Sequence, residues 1–417
     1  MAISSPRGVF DILPADSWRW RWLEEQCEEV CRRYGYKELR IPYFEHTELF
    51  LRGVGEATDI VRKEMYSFQD RGERSLTLRP ELTAGVVRSF IEHKMHNEPL
   101  PVRLFTIGPS FRYERPQAGR YRQFHQLNVE LFGTHSPLAD GEMISVGLEL
   151  FHHIGLTQLT PIQVQLNSIG CSQCRPRHRT AMMEFLEGCL DKVCSDCNSR
   201  YRLNPLRVFD CKNSACQVEL TGLPVMIDFL CPECDEHFAS VQEVLGGYNI
   251  SYSFNSRLVR GLDYYNRTVF EYFAPQALGI ALGGGGRYDP LVELLGGPPV
   301  PGVGFAVGIE RLLLSLTGKE LKEQSLDIYL APLGEAAELK AIPLAQALRR
   351  RGLSCEVDLM QRSLRTQLRQ ADRLAARYVL ILGQDELESK SVLLRNMTTK
   401  EQQLLTWTEL ESFSFSL

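Results

Sequence analysis

The chain has 417 residues, 44% of them hydrophobic and 24% charged, with a net charge of −5. That balance fits a globular protein of two to three domains and leaves no apolar run long enough to span a membrane. A net negative chain is not a nonspecific coat for nucleic acid, although a local basic patch stays open.

Residues Met1–Leu13 carry no apolar stretch of the signal-peptide kind, so the cytoplasm is the expected compartment. A helix is expected over Trp18–Arg33, where Trp22, Leu23, Cys27 and Val30 recur near helical spacing. Leu39-Arg40-Ile41-Pro42 reads as an edge strand, because proline cannot donate to an interior ladder. Strands follow near Glu64–Phe68, Ser75–Leu78 and Val102–Ile107. The stretch Phe111–Gln126 then gathers Arg112, Arg115, Arg120, Arg122 and His125 around a Pro-Gln-Ala-Gly turn. Alternation on both sides of that turn predicts two antiparallel strands joined by a basic loop. Guanidinium groups held at strand ends attract phosphate. A solvated hairpin tip would account for the tip arginines, but not for Arg112 at the strand edge or for Glu130 beside Gln126. A helix is expected over Gly141–Ile154.

Eight of the twelve cysteines form spaced pairs between Cys171 and Cys234. In a cytosolic chain such pairs read as metal ligands before disulfides. Cys171-x2-Cys174, nineteen residues, then Cys194-x2-Cys197 matches a structural zinc spacing, and Cys211, Cys216, Cys231 and Cys234 could form a second site. Spacing leaves open which pairs share an ion. The segment 168–250 thus reads as a domain inserted into a core made of residues 1–167 and 251–318.

The core resumes with strands near Phe254–Leu258 and Thr268–Phe273. Gly283–Gly286 would let backbone approach a ligand closely, without the Gly-Lys-Ser/Thr of a P-loop. A strand and helix over Gly302–Leu312 close it, and Thr317–Gln324 reads as a linker. Beyond it, strands at Asp327–Leu330, Ser354–Val357, Tyr378–Leu382 and Ser391–Arg395 alternate with helices at Glu335–Arg351 and Leu364–Arg377. This predicts a small α/β domain over 326–417 with a mostly parallel sheet. Arg362, Arg365, Arg369, Arg373 and Arg377 would line one helix face about 22 Å long. Acidic and basic residues are equal in number from 327 to 417. The stripe is therefore segregated charge, which suits a phosphate backbone.

Three stretches carry a family resemblance. Phe111–Gln126 resembles motif 2 of class II aminoacyl-tRNA synthetases in its histidyl form. Arg260-Gly261-Leu262-Asp263-Tyr264-Tyr265, with Asn266–Glu271, resembles the histidine signature of that family, and Gly302–Leu312 resembles motif 3. The similarity runs from Pro6-Arg7-Gly8 into the C-terminal domain. It implies an α+β fold: an antiparallel catalytic sheet flanked by helices, an inserted Cys-rich domain and a C-terminal anticodon-binding domain. It implies a histidine–tRNA ligase that activates L-histidine with ATP, with Mg accompanying the nucleotide, and charges the 3′ end of tRNA(His). By resemblance, Arg112 and Arg260 lie near the α-phosphate and Arg311 on the distal phosphates. Glu81, Thr83 and Gln126 hold the amino group, Glu130 and Tyr265 meet the imidazole, and Tyr264 and Tyr288 line the pocket. Arg115 and Gln117, with Arg365, Arg369 and Arg373, would face tRNA. The first helix and the Pro42 strand correspond to motif 1, part of a homodimer interface. One departure stands out: Leu82 occupies a position where the family usually has glycine. A rival is the non-catalytic, histidine-binding regulatory subunit of ATP phosphoribosyltransferase. It usually lacks the C-terminal domain and erodes the arginine motifs that this chain keeps. A class II ligase for another amino acid is a second rival, opposed by the intact Arg260–Tyr265 signature.

Overall fold

The computed structural model describes residues 3–203, 205–211, 213–275, 281–319 and 326–415. It comprises two compact units, residues 1–320 and 321–417. Residues 320–324 of the expected linker lie outside the described residues.

In the first unit the strands, in chain order, are β1 (Lys37–Glu38), β2 (Phe44–His46), β3 (Tyr66–Gln69), β4 (Ser75–Leu78), β5 (Val102–Phe111), β6 (Gln123–Phe132), β7 (Gln163–Ser168), β8 (Tyr252–Phe254), β9 (Asn266–Phe273), β10 (Ala281–Arg287) and β11 (Gly302–Gly308). Eight of them form one sheet in the order β1-β5-β6-β11-β10-β9-β7-β8, and β2-β4-β3 form a second. The large sheet is antiparallel through its middle and parallel only at its two outer pairs, β1–β5 and β7–β8. The β5–β6 hairpin expected from the alternation is present over ten paired residues.

Alternation then sorts the two faces. Leu127, Val129 and Leu131 of β6, with Val303, Phe305 and Val307 of β11, bury against the helices Pro14–Arg33, Pro137–His153 and Pro232–Gly247. Each such side chain contributes roughly 1.5–3 kcal/mol on burial. The opposite face of the same strands carries Gln126, Asn128 and Glu130 on β6, opposite Gly308, Ala306 and Gly304 on β11. A polar row facing a row of the smallest residues leaves a trough on that side of the sheet.

Leu39–Pro42 is not a strand. Its carbonyls are met instead by a buried guanidinium: Arg79 Nη1 donates to Ile41 O at 2.8 Å and Pro42 O at 3.1 Å. The pairing expected there falls on either side, in β1 and β2. The last helix of the Cys-rich segment, Pro232–Gly247, belongs to the helical layer of the core, where Phe238, Val241 and Leu245 are buried.

In the second unit, β12 (Ile328–Pro332), β13 (Cys355–Val357), β14 (Tyr378–Leu382), β15 (Ser391–Asn396) and β16 (Gln402–Thr406) form a sheet in the order β13-β12-β14-β15-β16. It is half parallel rather than mostly parallel: β12 runs parallel to β13 and β14, while β14–β15 and β15–β16 are antiparallel. A parallel pair needs a crossover of a dozen or more residues. The connection from β14 to β15 holds only the short helix Gln384–Glu388, so the chain turns back. The arginine-bearing helix is also shorter than expected, Leu364–Arg373. It stops because Ala375 adopts the left-handed conformation (φ 49°), and Ala376 N–H returns to Ala371 O at 2.9 Å.

Candidate active site and cysteine clusters

A cavity of about 330 Å3 opens over the small-residue trough. Arg112, Arg120, Arg260 and Arg311 wall it together with Glu81, Thr83, Glu114, Gln126, Asn128, Tyr264, Tyr265 and Glu271. The motif-like stretches, far apart in sequence, therefore meet at one place.

Each arginine is held by its surroundings. Arg112 Nε donates to Pro80 O at 2.8 Å, and its guanidinium lies 5.3 Å from the Phe124 ring centre. Arg260 pairs with Glu271 through Nη1. Arg311 donates from Nε to Gly119 O at 3.1 Å and from Nη1 to Ala281 O at 2.7 Å. Among the described residues it has no carboxylate within ion-pair distance. Glu310, its neighbour in sequence, instead accepts from the His125 backbone N–H and contacts His125 Nδ1 at 3.0 Å. His125 is thereby withdrawn from the basic group that the sequence suggested. Burial, then the neighbouring Arg120 and Arg112 guanidiniums, lower Arg311 from its ordinary value, as expected where cations gather without enough counter-charge. Among the described residues, the buried Nε atoms of Arg260 and Arg120 and the Oδ1 of Asn128 have no hydrogen-bond partner. Orphaned polar atoms on a cavity wall are seats for a polar ligand.

Beneath the arginines lies a carboxylate and tyrosine layer. Glu81 accepts from the Thr83 and Ala84 backbone N–H groups, both at 2.7 Å, at the start of the helix Thr83–Glu92. Glu130 accepts from Thr83 Oγ1 at 2.6 Å, from Asn128 Nδ2 at 3.3 Å and from the Tyr288 hydroxyl. Burial pushes the Glu130 carboxyl up to about 8. Gly304 is obligatory opposite it, because a Cβ there would collide with the Glu130 carboxylate. Glu130 and Tyr288 sit one layer below the cavity surface, whereas Glu81, Thr83, Gln126, Tyr264 and Tyr265 line it. The Tyr264 and Tyr265 rings are 4.7 Å apart. Leu82 points away into the apolar cluster with Val86, Val87 and Phe90, so the glycine-to-leucine departure leaves the cavity open.

The loop between β5 and β6 closes by a Gln117–Arg120 bridge. Arg115 and Gln117 are exposed at its tip, outside the cavity lining. In the second unit Arg365, Arg369 and Arg373 are exposed on their helix. The five-residue stripe does not form on one helix: Arg362 precedes it and approaches Asp358 at 3.7 Å, and Arg377 follows it, 3.9 Å from Asp327. Glu114, Asn128 and Glu271 are cavity residues that the sequence did not single out, whereas Arg120 belongs to the basic loop that it did. Asn128 was findable, since it shares the parity of Gln126 and Glu130 on β6.

The cysteines resolve into two nested sets: Cys171, Cys174, Cys231 and Cys234, and within them Cys194, Cys197, Cys211 and Cys216. The first two pairs in sequence do not share a site; the outer pairs meet each other and the inner pairs meet each other. In each set all four Sγ atoms lie within 4.8 Å of one another. Sγ–Sγ separations are 3.7 Å for Cys171–Cys174, 3.8 Å for Cys171–Cys231 and 3.8 Å for Cys194–Cys211. A tetrahedron with thiolate bonds of about 2.3 Å has edges of about 3.8 Å, so both sets can hold a tetrahedral metal ion. Backbone N–H groups point at the sulfurs, from Cys231 to Cys174 Sγ at 3.1 Å and from Cys194 to Cys216 Sγ at 3.0 Å. His178 bonds Pro224 O and His237 contacts Asp140, so neither joins the sets.

Comparison with known proteins agrees with this architecture. The family model described as Histidyl-tRNA synthetase matches residues 8–171 and 232–312, and an anticodon binding domain matches residues 327–414. The histidine–tRNA ligase of Desulforamulus reducens is 48% identical over 418 residues, covering 99% of both chains. That of Halothermothrix orenii is 48% identical over 406 residues, covering 96% of both. The crystal structure of apo S. aureus histidyl-tRNA synthetase superposes with a TM-score of 0.83 at 39% identity, over 99% of each chain. Among the described residues no helix is long and apolar enough to cross a membrane. With its motifs gathered at one cavity and its likeness running end to end, the chain belongs to the histidyl-tRNA synthetase family.

Proposed function

We propose that the chain is a histidine–tRNA ligase. A carboxylate oxygen of L-histidine attacks the α-phosphorus of ATP, the bond to the bridging oxygen breaks, and pyrophosphate leaves. A ribose hydroxyl at the 3′ end of tRNA(His) then attacks the histidyl carbonyl and AMP departs. The carrying observation is that the arginines of all three motifs and the histidine-signature tyrosines wall one cavity. Both reactants are anionic, so the work is positioning and charge neutralisation.

In this reading Arg112 and Arg260 neutralise the α-phosphate and Arg311 takes the distal phosphates. Glu81, Thr83 and Gln126 receive the ammonium group. Tyr264 and Tyr265 flank the imidazole, with Glu130 and Tyr288 setting the polarity of the floor beneath it. Mg arrives with the nucleotide, whose phosphates supply much of its oxygen shell. Zinc fills both four-cysteine sets in a structural role, since a closed thiolate site keeps no position for reacting water. Arg115, Gln117, Arg365, Arg369 and Arg373 contact tRNA. The exposed aromatic side chains Tyr43, Phe44 and Phe68 support a homodimer buried over that surface, and the cytoplasm is the compartment. Histidine-dependent exchange of pyrophosphate into ATP tests the proposal. Exchange driven equally by another amino acid would overturn it, and histidine binding without any exchange would support a regulatory subunit instead.

A further inference from the structure

The outer cysteine set is stitched to the histidine signature. Strand β7 runs through Ile169 and Gly170 directly into Cys171, and Cys174 opens the helix Cys174–Glu187. Ile169 N–H donates to Arg267 O at 2.8 Å, and Arg267 N–H returns to Gly170 O at 2.9 Å. Gly170 is left-handed (φ 62°), and a Cβ on it would press on Cys174 Cβ at 2.6 Å. Arg267 is also left-handed (φ 51°), a cost that a non-glycine residue sustains only where its surroundings impose it.

Arg175, the residue after Cys174, reaches across this junction. Its Nη2 donates to the Tyr265 carbonyl, and its Nε lies 3.5 Å from Ile169 O. The Tyr265 ring meanwhile walls the active cavity. Behind the signature lies a second cavity of about 400 Å3, lined by Arg175, Met182, Met226, Val259, Arg260 and Leu262 among others. Val259, Arg260, Leu262 and Asp263 therefore border a hollow, while Tyr264 and Tyr265 pack into the apolar core, and Arg175 ties the junction between them to the Cys174 helix. The inner set, in contrast, is buried among Met182, Leu186, Tyr201, Val208 and Leu220 of the inserted segment itself.

We infer that Arg175 is a positioning residue for histidine recognition: anchored by the outer cysteine set, it fixes the Tyr265 peptide and so the ring that faces the amino-acid pocket. The inference rests on the ligase reading and assigns the two cysteine sets separate tasks. The outer set anchors Arg175 at the Tyr265 peptide, whereas the inner set organises the inserted segment, whose Gln217 and Leu220 accept from Arg257 and whose Arg200 pairs with Asp59.

The test compares Arg175→Met and Arg175→Lys with the parent, using calorimetric histidine binding without ATP and pyrophosphate exchange. Removing a buried hydrogen bond of this kind should weaken histidine binding, and raise the histidine KM, about tenfold in Arg175→Met. The ATP KM and the bound zinc should stay at parental values, and Arg175→Lys should recover part of the loss. Cys231→Ser should reproduce the histidine defect. Histidine binding by Arg175→Met within about twofold of the parent, or an ATP KM rising in step with that for histidine, overturns the inference. A parent that binds histidine without exchange would sink the ligase reading alone, because the binding comparison stands by itself.

Discussion

In the cavity, Arg112 and Arg311 are tied to backbone carbonyls and Arg260 to Glu271, so little freedom remains to be lost when substrate arrives. On the helix Leu364–Arg373 of the second unit, Arg365, Arg369 and Arg373 stand exposed, and among the described residues none forms an ion pair. On the function proposed above, the difference teaches how one side chain would serve two kinds of phosphate. Charge that must act on a transition state is fixed in advance. Charge that must follow a flexible polymer is left hydrated, and works by displacing counter-ions from it.

The comparison breaks most sharply at Arg260. Arg260→Ala should lower the rate of pyrophosphate exchange by about 100- to 1000-fold, with histidine affinity nearly unchanged. Rapid-mix exchange and calorimetry read the two quantities separately, and a rate close to parental would remove Arg260 from the reaction. A milder contrast comes from lysine. Arg311→Lys should cost about tenfold in exchange, because an ammonium cannot reproduce the paired donation to Gly119 and Ala281 carbonyls. Arg369→Lys should leave both exchange and tRNA affinity within about twofold, since a solvated point charge suffices there.

On the exposed face, replacing Arg365, Arg369 and Arg373 together by Gln should weaken tRNA binding and lower the slope of log K against log salt by about two, at about 0.7 per lost contact. Exchange without tRNA should not change. An unaltered slope would make the face an ordinary solvated one.

The smallest expected effect concerns the acid under the pocket. The unfolded chain releases the Glu130 proton near pH 4.5 and the folded chain near 8, so between those values folding takes up a proton and stability falls as pH rises. Glu130→Gln carries no such proton. Its melting temperature should fall less from pH 5 to pH 8 than that of the parent, a difference of a few degrees by calorimetry.

The features legible in the sequence were those written in a strict period. Alternation through Leu127, Val129 and Leu131 predicts the strand, and the same period places Gln126, Asn128 and Glu130 together on its other face. The turn at Pro116–Gly119 announced the hairpin. Misread features depended on partners distant in the chain. Pro42 suggested an edge strand, but Arg79 supplies its neighbours' hydrogen bonds. The arginine stripe continued in the sequence through Arg377, yet the helix ended where Ala375, with no glycine to mark the place, turned left-handed. Cysteine spacing picked out the eight clustered cysteines but not their nesting, because nesting is a property of how the Cys-rich segment leaves and re-enters the core. Arg175 gave no local signal at all; its partner is a carbonyl ninety residues away.

The pairing of β6 with β11 has a consequence for how such a pocket can change. Because successive side chains point to opposite faces, Ala306 and Gly308 can be rewritten without touching Val303, Phe305 and Val307, which hold the helical layer, while Gly302 and Gly304 are kept small by Tyr288 and Glu130. The selectivity of the trough and the stability of the fold are thus stored in alternate letters of the same short word. A lineage, or a designer, can explore new amino-acid side chains on one set while the other keeps the protein folded.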